Sequence, residues 1–383
     1  MTPATLIRTI PGLMLAFFAN GVEADWHVEP FAKASALFDD NIRFSSTDST
    51  SSTGFLTEAG VNFKSENDAI KTSISPRIVY RGYVDDSDLA TFDQFLDLST
   101  TSFGERSDLG LNLRFANDST LTSEEEDSGI TFLNKRRRFM SMEPSWRYLI
   151  SPLTSVEVRY RFDASQYQDS GEFGLNDYDF QIATGDFERR VAEDKDIIVR
   201  TYYQRYKVLE LTNKASSAGL ELGYEQQFTR RMKGSFFIGG VSTESTISGK
   251  TDTSSSVSAS VSIVYDAERA HLGLRYESDI VPSSTGEVFL QNRLAGIIRG
   301  NLSAKVLWGF EVIVQGRSTI NDNSSQSDRT YYRVEPSLGW KLNREWVVQG
   351  IYTYAGQDEE GADVKRNQVY IGFEYRKAAS RLY

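Results

Sequence analysis

The chain has 383 residues, 42 Lys+Arg against 53 Asp+Glu for a net charge of −11, no cysteine, and only two histidines, His27 and His271. The absence of Cys excludes a disulfide framework, a Cys-ligated zinc or iron–sulfur centre and a thiol nucleophile. Two histidines exclude a multi-histidine metal site, and an acidic chain without a concentrated basic face excludes ordinary nucleic-acid binding. Aromatic residues nevertheless reach 12% at a mean hydropathy of −0.40, and that pairing needs a physical account.

Residues 1–24 read as an export signal. Arg8 precedes a short apolar run, Leu13 to Ala19, and Val22-Glu23-Ala24 supplies a cleavage site after Ala24. A buried N-terminal helix is the alternative. Beyond it no segment approaches about 18 consecutive apolar residues, so helical membrane spans are excluded.

From Asp25 onward one theme recurs: an alternating apolar/polar segment, a polar connection, another such segment. Leu109, Leu111, Leu113 and Phe115 alternate with Gly110, Asn112 and Arg114. Val156, Val158, Tyr160 and Phe162 alternate with Glu157, Arg159 and Arg161. Leu220, Leu222 and Tyr224 alternate with Glu221, Gly223 and Glu225. Leu272, Leu274 and Tyr276 alternate with Gly273 and Arg275, and Val369, Ile371, Phe373 and Tyr375 with Tyr370, Gly372 and Glu374. A period of two places one set on each face of a sheet.

The connections fall into two classes that alternate along the chain. Short ones lie near 65–68, 104–107, 150–154, 191–195, 229–233, 266–270, 299–302 and 342–345. Long ones lie near 39–53, 83–92, 117–137, 168–176, 208–215, 247–254, 279–286, 318–328 and 357–366. The pattern predicts an all-β fold: a closed up-and-down antiparallel transmembrane β-barrel of about 18 strands, with 16 as the alternative. Short periplasmic turns lie at one end and long external loops at the other. Closure is required because an open sheet edge finds no hydrogen-bond partners in lipid. The composition then has its account. Apolar and aromatic residues face lipid, and polar residues face a wet lumen. Residues 1–24 are the signal and 25–383 one barrel of a Gram-negative outer membrane.

Several stretches resemble the β-barrel porin 2 family. Val28-Glu29-Pro30 leading to Phe38-Asp39-Asp40-Asn41-Ile42 is similar to its opening, with Phe38 where the family often has Tyr. Ser73-Ile74-Ser75-Pro76-Arg77, with Tyr80 and Tyr83, is similar to its second hairpin. Glu143-Pro144-Ser145-Trp146 and Glu335-Pro336-Ser337-Leu338 fit later hairpins. The resemblance implies a large outer-membrane barrel linked to exopolysaccharide export or general porin function. The leading expectation is a channel for hydrophilic solute, most specifically an exopolysaccharide export pore. A general or small-solute diffusion porin is the alternative, and an outer-membrane enzyme or adhesin is the reading from another class. No cofactor and no metal is expected. The expected partners are outer-membrane lipid and lipopolysaccharide, the barrel assembly machinery, and polysaccharide or small solutes, with no nucleic acid.

By alternation the lumen takes Arg77, Arg114, Arg147, Arg159, Arg161, Arg200 and Arg275, with Glu143, Glu157, Glu221 and Glu225. Charge rings of this kind set pore selectivity, and Arg binds carboxylates bidentately. Mutual pairing that merely fills the wall is the alternative. Tyr202 and Tyr370 are candidates for sugar stacking or an interfacial girdle. His271 reads as a polar residue at the periplasmic rim, with Arg275 disfavouring its cation. Asp85-Asp86 and Glu359-Glu360 read as solvated loop acids, with divalent ions as the sharper alternative.

The longest loop carries Glu124, Glu125, Glu126 and Asp127 and ends in Lys135-Arg136-Arg137-Arg138. It either folds into the lumen as a constriction or lies on the surface with its basic end on lipopolysaccharide phosphates. Nothing in the sequence chooses between the two. Gly372, Phe373 and Tyr375 resemble a C-terminal assembly signal, though Arg376–Tyr383 follow it. Pro144 and Pro336 are expected to shift the inside/outside phase of their strands.

Overall fold

The computed structural model describes residues 25–382 apart from 48, 85, 126–133, 172–173, 322–327, 360–361 and 378–379. The signal segment therefore lies outside the described residues. Eighteen long antiparallel strands run in chain order. They are β1 (Trp26–Asp39), β2 (Ser52–Glu66), β3 (Ile70–Tyr83), β4 (Thr91–Phe103), β5 (Ser107–Ser119) and β6 (Arg136–Ser151). Next come β7 (Thr154–Tyr167), β8 (Tyr178–Ala192), β9 (Lys195–Val208), β10 (Lys214–Thr229), β11 (Met232–Ile247) and β12 (Lys250–Asp266). The last six are β13 (Ala270–Pro282), β14 (Val288–Asn301), β15 (Val306–Thr319), β16 (Arg329–Lys341), β17 (Trp346–Glu359) and β18 (Ala362–Arg376).

Each strand pairs with its sequence neighbours, and β1 pairs with β18 from Phe31↔Arg376 to Asp39↔Gln368. The sheet is closed, the count is 18 rather than 16, and no long strand is left with an open edge. The wall alternates as its sequence does. Leu220, Leu222, Ile238, Val257 and Ile371 are exposed on the outside, where lipid covers them. Most strands have 13–16 residues and β12 has 17. A tilted span needs only about 9–11, so the strands continue beyond the hydrocarbon.

That surplus explains where the loop boundaries depart from the sequence pattern. The stretch 247–254 is no long loop. Ladder pairing runs on to Ile247↔Lys250, and Ser248 and Gly249 turn the chain at φ 50° and 81°. Two consecutive positive φ values are the mark of a tight hairpin turn, which Gly favours at the second place. Likewise 357–366 is mostly strand, since β17 and β18 pair as far as Glu359↔Ala362. Both segments lie at the external end, where the inward face packs against other polar residues and inturned loops. Their inward and outward positions are both mostly polar, so the sequence shows no apolar/polar period of two there.

Pro144 and Pro336 do not shift phase. Pairing lapses at Pro144 between Met142↔Phe162 and Ser145↔Arg159, then resumes in the same register. It does the same at Pro336 between Val334↔Tyr354 and Ser337↔Ile351. Each Pro stays in register with its other neighbour, at Leu111 and Phe310. A missing N–H costs one bond, and the flanking ladder holds the register.

Register shifts do occur at three short turns, at Gln227/Thr229, Leu149/Ser151 and Arg190/Ala192, and at the seam. Register moves by one residue between Phe31↔Arg376 and Val28↔Ser380, beside Pro30, the residue of β1 with no N–H. The chain then resumes as a short strand β19 (Ser380–Leu382) against Trp26–Val28. Ser380–Leu382 is therefore not a loose tail but the far end of the closing seam.

Candidate functional site: a loop strut across a charged lumen

The loop after β5 turns inward. Ser119 caps a one-turn helix (Thr120–Ser123) by accepting from the Leu121 N–H. That turn delivers two consecutive glutamates into the barrel. Glu124 is fully buried and accepts from the Tyr167 hydroxyl on β7 and the Ser284 hydroxyl after β13, each at 2.7 Å. Glu125 accepts from the Tyr331 hydroxyl at 2.9 Å and from Arg366 at 2.6 Å, on β16 and β18. Arg329 donates to the Glu125 carbonyl. In an 18-strand ring the β13–β16 arc lies nearly opposite the loop's own root. The two residues therefore form a strut between far walls. Burial by itself would raise the Glu125 carboxyl. Arg366, the Tyr331 hydroxyl and Arg333 outweigh it and hold the group below the ordinary glutamate range.

Of the two readings of this loop, the inward one is the structure's. Arg137 turns in as well, bidentate on Asp118 at 3.0 and 2.9 Å and 3.8 Å from Glu124. Arg136 donates to Asp93 at 3.0 Å, and only Arg138 of that basic run is exposed. Glu126 and Asp127 lie outside the described residues.

Neighbouring loops join the strut. The Tyr206 hydroxyl of β9 donates to the Ser283 carbonyl at 2.7 Å, and Asn176 donates to the Ser284 carbonyl. Tyr167, Leu175, Tyr178, Tyr206, Val208 and Val288 belong to one apolar cluster beneath these contacts. Leu37, Ile42, Tyr83, Leu89 and Leu121 form a second, with Tyr370 packed against it. Phe44, Tyr331, Ala355 and Val364 form a third. The external half of the lumen thus holds small cores of its own.

Below the strut the wall is a belt of ion pairs. Arg77 meets Glu58 at 3.3 Å and Arg114 meets Asp97 at 2.8 Å. Arg147 meets Glu188 at 2.7 Å, and Arg161 meets Asp163 at 3.2 Å. Arg159 and Arg200 share Asp186, at 2.7 and 2.9 Å, and Arg200 also lies 3.8 Å from Glu221. Glu157 pairs with Arg159, Glu225 with Lys233, and Arg275 with Glu277. Glu143 accepts a 3.4 Å bond from Asn112. All seven arginines read from the alternation thus have a wall carboxylate, several of them one strand over. Arg200 also stacks on Phe237 at 4.2 Å. Tyr202 packs onto Gly219, where a Cβ would collide with its ring. Tyr202 and Tyr370 are both inward, so neither belongs to a lipid-facing girdle.

Cavities of about 220 Å³ (Arg159, Arg161, Arg200, Glu221) and about 470 Å³ (Arg114, Glu143, Arg161, Asp163) open along this belt. At the turn end a larger one, about 870 Å³, is lined by His271, Arg299, Arg344 and Glu374. His271 Nδ1 lies 2.6 Å from Asp266, while the Arg275 guanidinium is occupied by Glu277. The neighbour of His271 is therefore an acid across the turn rather than the arginine on its own strand. At the seam Gly372 sits against the Ala34 carbonyl with no room for a Cβ, Phe373 is exposed, and the Tyr375 ring lies 5.0 Å from Trp346. Among the described residues no group of three or more His, Asp or Glu could hold a metal ion. Asp86 lies 3.8 Å from Arg43, and Asp85, Glu360 and the side chain of Glu359 lie outside the description.

Sequence reasoning missed the partners: Tyr167, Ser284, Tyr331, Arg366 and Asp186. Ser284 is 160 residues from Glu124, and no local pattern links them.

No family model and no curated protein sequence matches the chain. Among solved structures it is similar to Pseudomonas aeruginosa OccK2 (OpdF) in complex with glucuronate. The identity is 11%, with 92% of this chain and 98% of that chain covered at a TM-score of 0.50. It is also similar to Acinetobacter baumannii OccAB3, at 9% identity over 92% and 99% of the two chains and a TM-score of 0.46. At such identities the likeness concerns the fold. Fold and wall together define the class: an 18-strand barrel of the Gram-negative outer membrane.

Proposed function

We propose that the protein is a passive channel for small hydrophilic solutes, working without turnover, and that acidic sugars and other small carboxylates suit it best. The supporting observation is the belt of paired arginines beneath a loop that crosses the lumen. An arginine already held by a wall carboxylate can exchange that partner for a solute carboxylate without being left bare. Binding of that kind is favourable enough to admit a solute and weak enough to release it. The OccK2 structure, which contains glucuronate, is in keeping with this class. The general-porin reading fits the narrowed lumen better than the polymer pore does.

The second reading is the exopolysaccharide exit pore that the porin 2 resemblance implies. A polymer would need the Glu124–Glu125 strut displaced. In either case Gly372, Phe373 and Tyr375 would serve insertion by the assembly machinery.

Planar-bilayer recording of refolded protein separates these readings. A small-solute channel conducts as wild type and is transiently blocked by glucuronate, and R159Q/R200Q weakens the block. A polymer pore conducts only after the strut is cut, and oligosaccharide rather than glucuronate then blocks it. A barrel that never conducts overturns both.

A further inference from the structure

The outer surface of β9 and β10 carries charges that the lumen does not use. Gln204 and Tyr206 are buried and bond across the barrel, so Arg205 and Lys207, alternating with them, point outward and are exposed. The outward column of β9 reads Ile197, Val199, Thr201, Tyr203, Arg205, Lys207 toward its external end. Ile197, Val199 and Tyr203 are all well exposed. Hydrocarbon-facing residues thus give way to an interfacial tyrosine, and the two cations stand about 7 and 13 Å above it along the strand. That is headgroup height in the outer leaflet.

On β10, Ala215 and Ser217 are buried, so Lys214 also faces out, and it is exposed. Lys214 stands directly opposite Lys207 in the ladder, and Ser216 opposite Arg205. Like charges directly opposed across two strands repel. None of the three cations has a hydrogen-bond or ion-pair partner among the described residues. The outward acids nearby are Asp179, opposite Lys207 on β8, and Glu244, opposite Ser216 on β11. Neither comes within ion-pair distance of them, though Asp179 lies close enough to feel the charge of Lys207.

We infer that Arg205, Lys207 and Lys214 form a binding site on the outer wall for the phosphate groups of an outer-leaflet glycolipid of the lipid A kind. A dianion seated between Lys207 and Lys214 turns their repulsion into two charge-assisted contacts, and Arg205 adds a planar donor fork from below. The site belongs to the wall, so it stands or falls separately from what passes through the lumen.

The test uses the full barrel folded into phosphatidylcholine vesicles without lipid A, with lipid A, or with dephosphorylated lipid A. Thermal unfolding and lipid A retained after repurification are measured. Wild type is stabilised by lipid A only in its phosphorylated form. Affinity falls roughly fivefold for each cation removed in the series to R205Q/K207Q/K214Q. In vesicles without lipid A the triple variant unfolds at the wild-type temperature or above it, because the Lys207–Lys214 repulsion is gone. K207R/K214R retains binding. Equal stabilisation by dephosphorylated lipid A, unchanged retention by the triple variant, or full stabilisation by inorganic phosphate at the same phosphate concentration would each overturn the assignment.

Discussion

The two ends of the barrel share one wall and differ in almost everything the wall encloses. At the turn end, connections as short as the pair Pro152-Leu153, between Ser151 and Thr154, cannot reach inward. That end keeps a cavity of about 870 Å³ whose charged groups, such as Asp266 and Arg299, are more than half exposed. At the loop end, longer connections fold into the lumen and bury Glu124, Tyr206 and Tyr331. The difference teaches that connection length, not wall chemistry, decides which half of this lumen is open. It also means that identical residue types are worth different amounts at the two ends. An ion pair in water contributes about 0–1 kcal/mol, whereas a buried one leaves a large penalty when one partner is removed.

The sharpest way to break that contrast is Arg366→Met, which strands the Glu125 carboxylate in the strut. Losing one partner of a buried pair costs about 3–5 kcal/mol. The cost should fall on the loop rather than on the wall. Single-channel conductance and its noise rise, and protease gains access near 120–135, while the strand signal in circular dichroism is kept. Unchanged conductance would show that the strut does not narrow the lumen.

Acid should act on the same contact. Because the folded Glu125 carboxyl lies below the ordinary glutamate range, its contribution is complete above that range, about pH 4.3. It is lost as the pH falls through the lower folded value. Conductance should therefore stay flat from neutral to mildly acidic pH and rise only below about pH 4. A transition between pH 5 and 7 would assign gating to another group.

Gly372→Val attacks the wall common to both ends. With no room for a Cβ against the Ala34 carbonyl, the seam should lose about 1–3 kcal/mol, the range seen for overpacking. Heat-modifiability on gels would show it, and the strut's conductance signature should not appear. Asp186→Asn works midway, releasing Arg159 and Arg200 together. Reversal potential in a salt gradient should move toward anion selectivity, with a stability change of about 1–3 kcal/mol. His271→Ala, at the open end, should change stability by no more than about 0.5 kcal/mol. A larger loss there would mean the turn end is not the solvated half.

How much of this could be read from the chain alone differs residue by residue. Arg159 and Arg161 were placed inward because Val158, Tyr160 and Phe162 alternate with them, and in the structure they line the cavities below the strut. Their partner Asp186 was not visible, because pairing between strands depends on register, which a single strand does not encode. The hairpin at Ser248-Gly249 reads as a loop from sequence because the residues around it are polar on both the inward and the outward face, leaving no apolar/polar alternation to show. The inward path of Glu124 and Glu125 was undecidable, since Tyr167, Ser284, Tyr331 and Arg366 meet only once the barrel has closed.

The sequence by itself determined the class of molecule. A period of two, with short and long connections taking turns, places lipid on one face, water on the other, and requires closure so that no backbone edge meets hydrocarbon. The aromatic richness at low hydropathy is the same fact seen as composition. What only the tertiary structure decided is the lumen. Ring closure brings β5–β7 opposite β13–β18, sets wall acids beside wall arginines, and seats two glutamates between walls that lie far apart in the chain. Local patterning reports which face a residue occupies. Which residues meet across the lumen is a property of the closed ring.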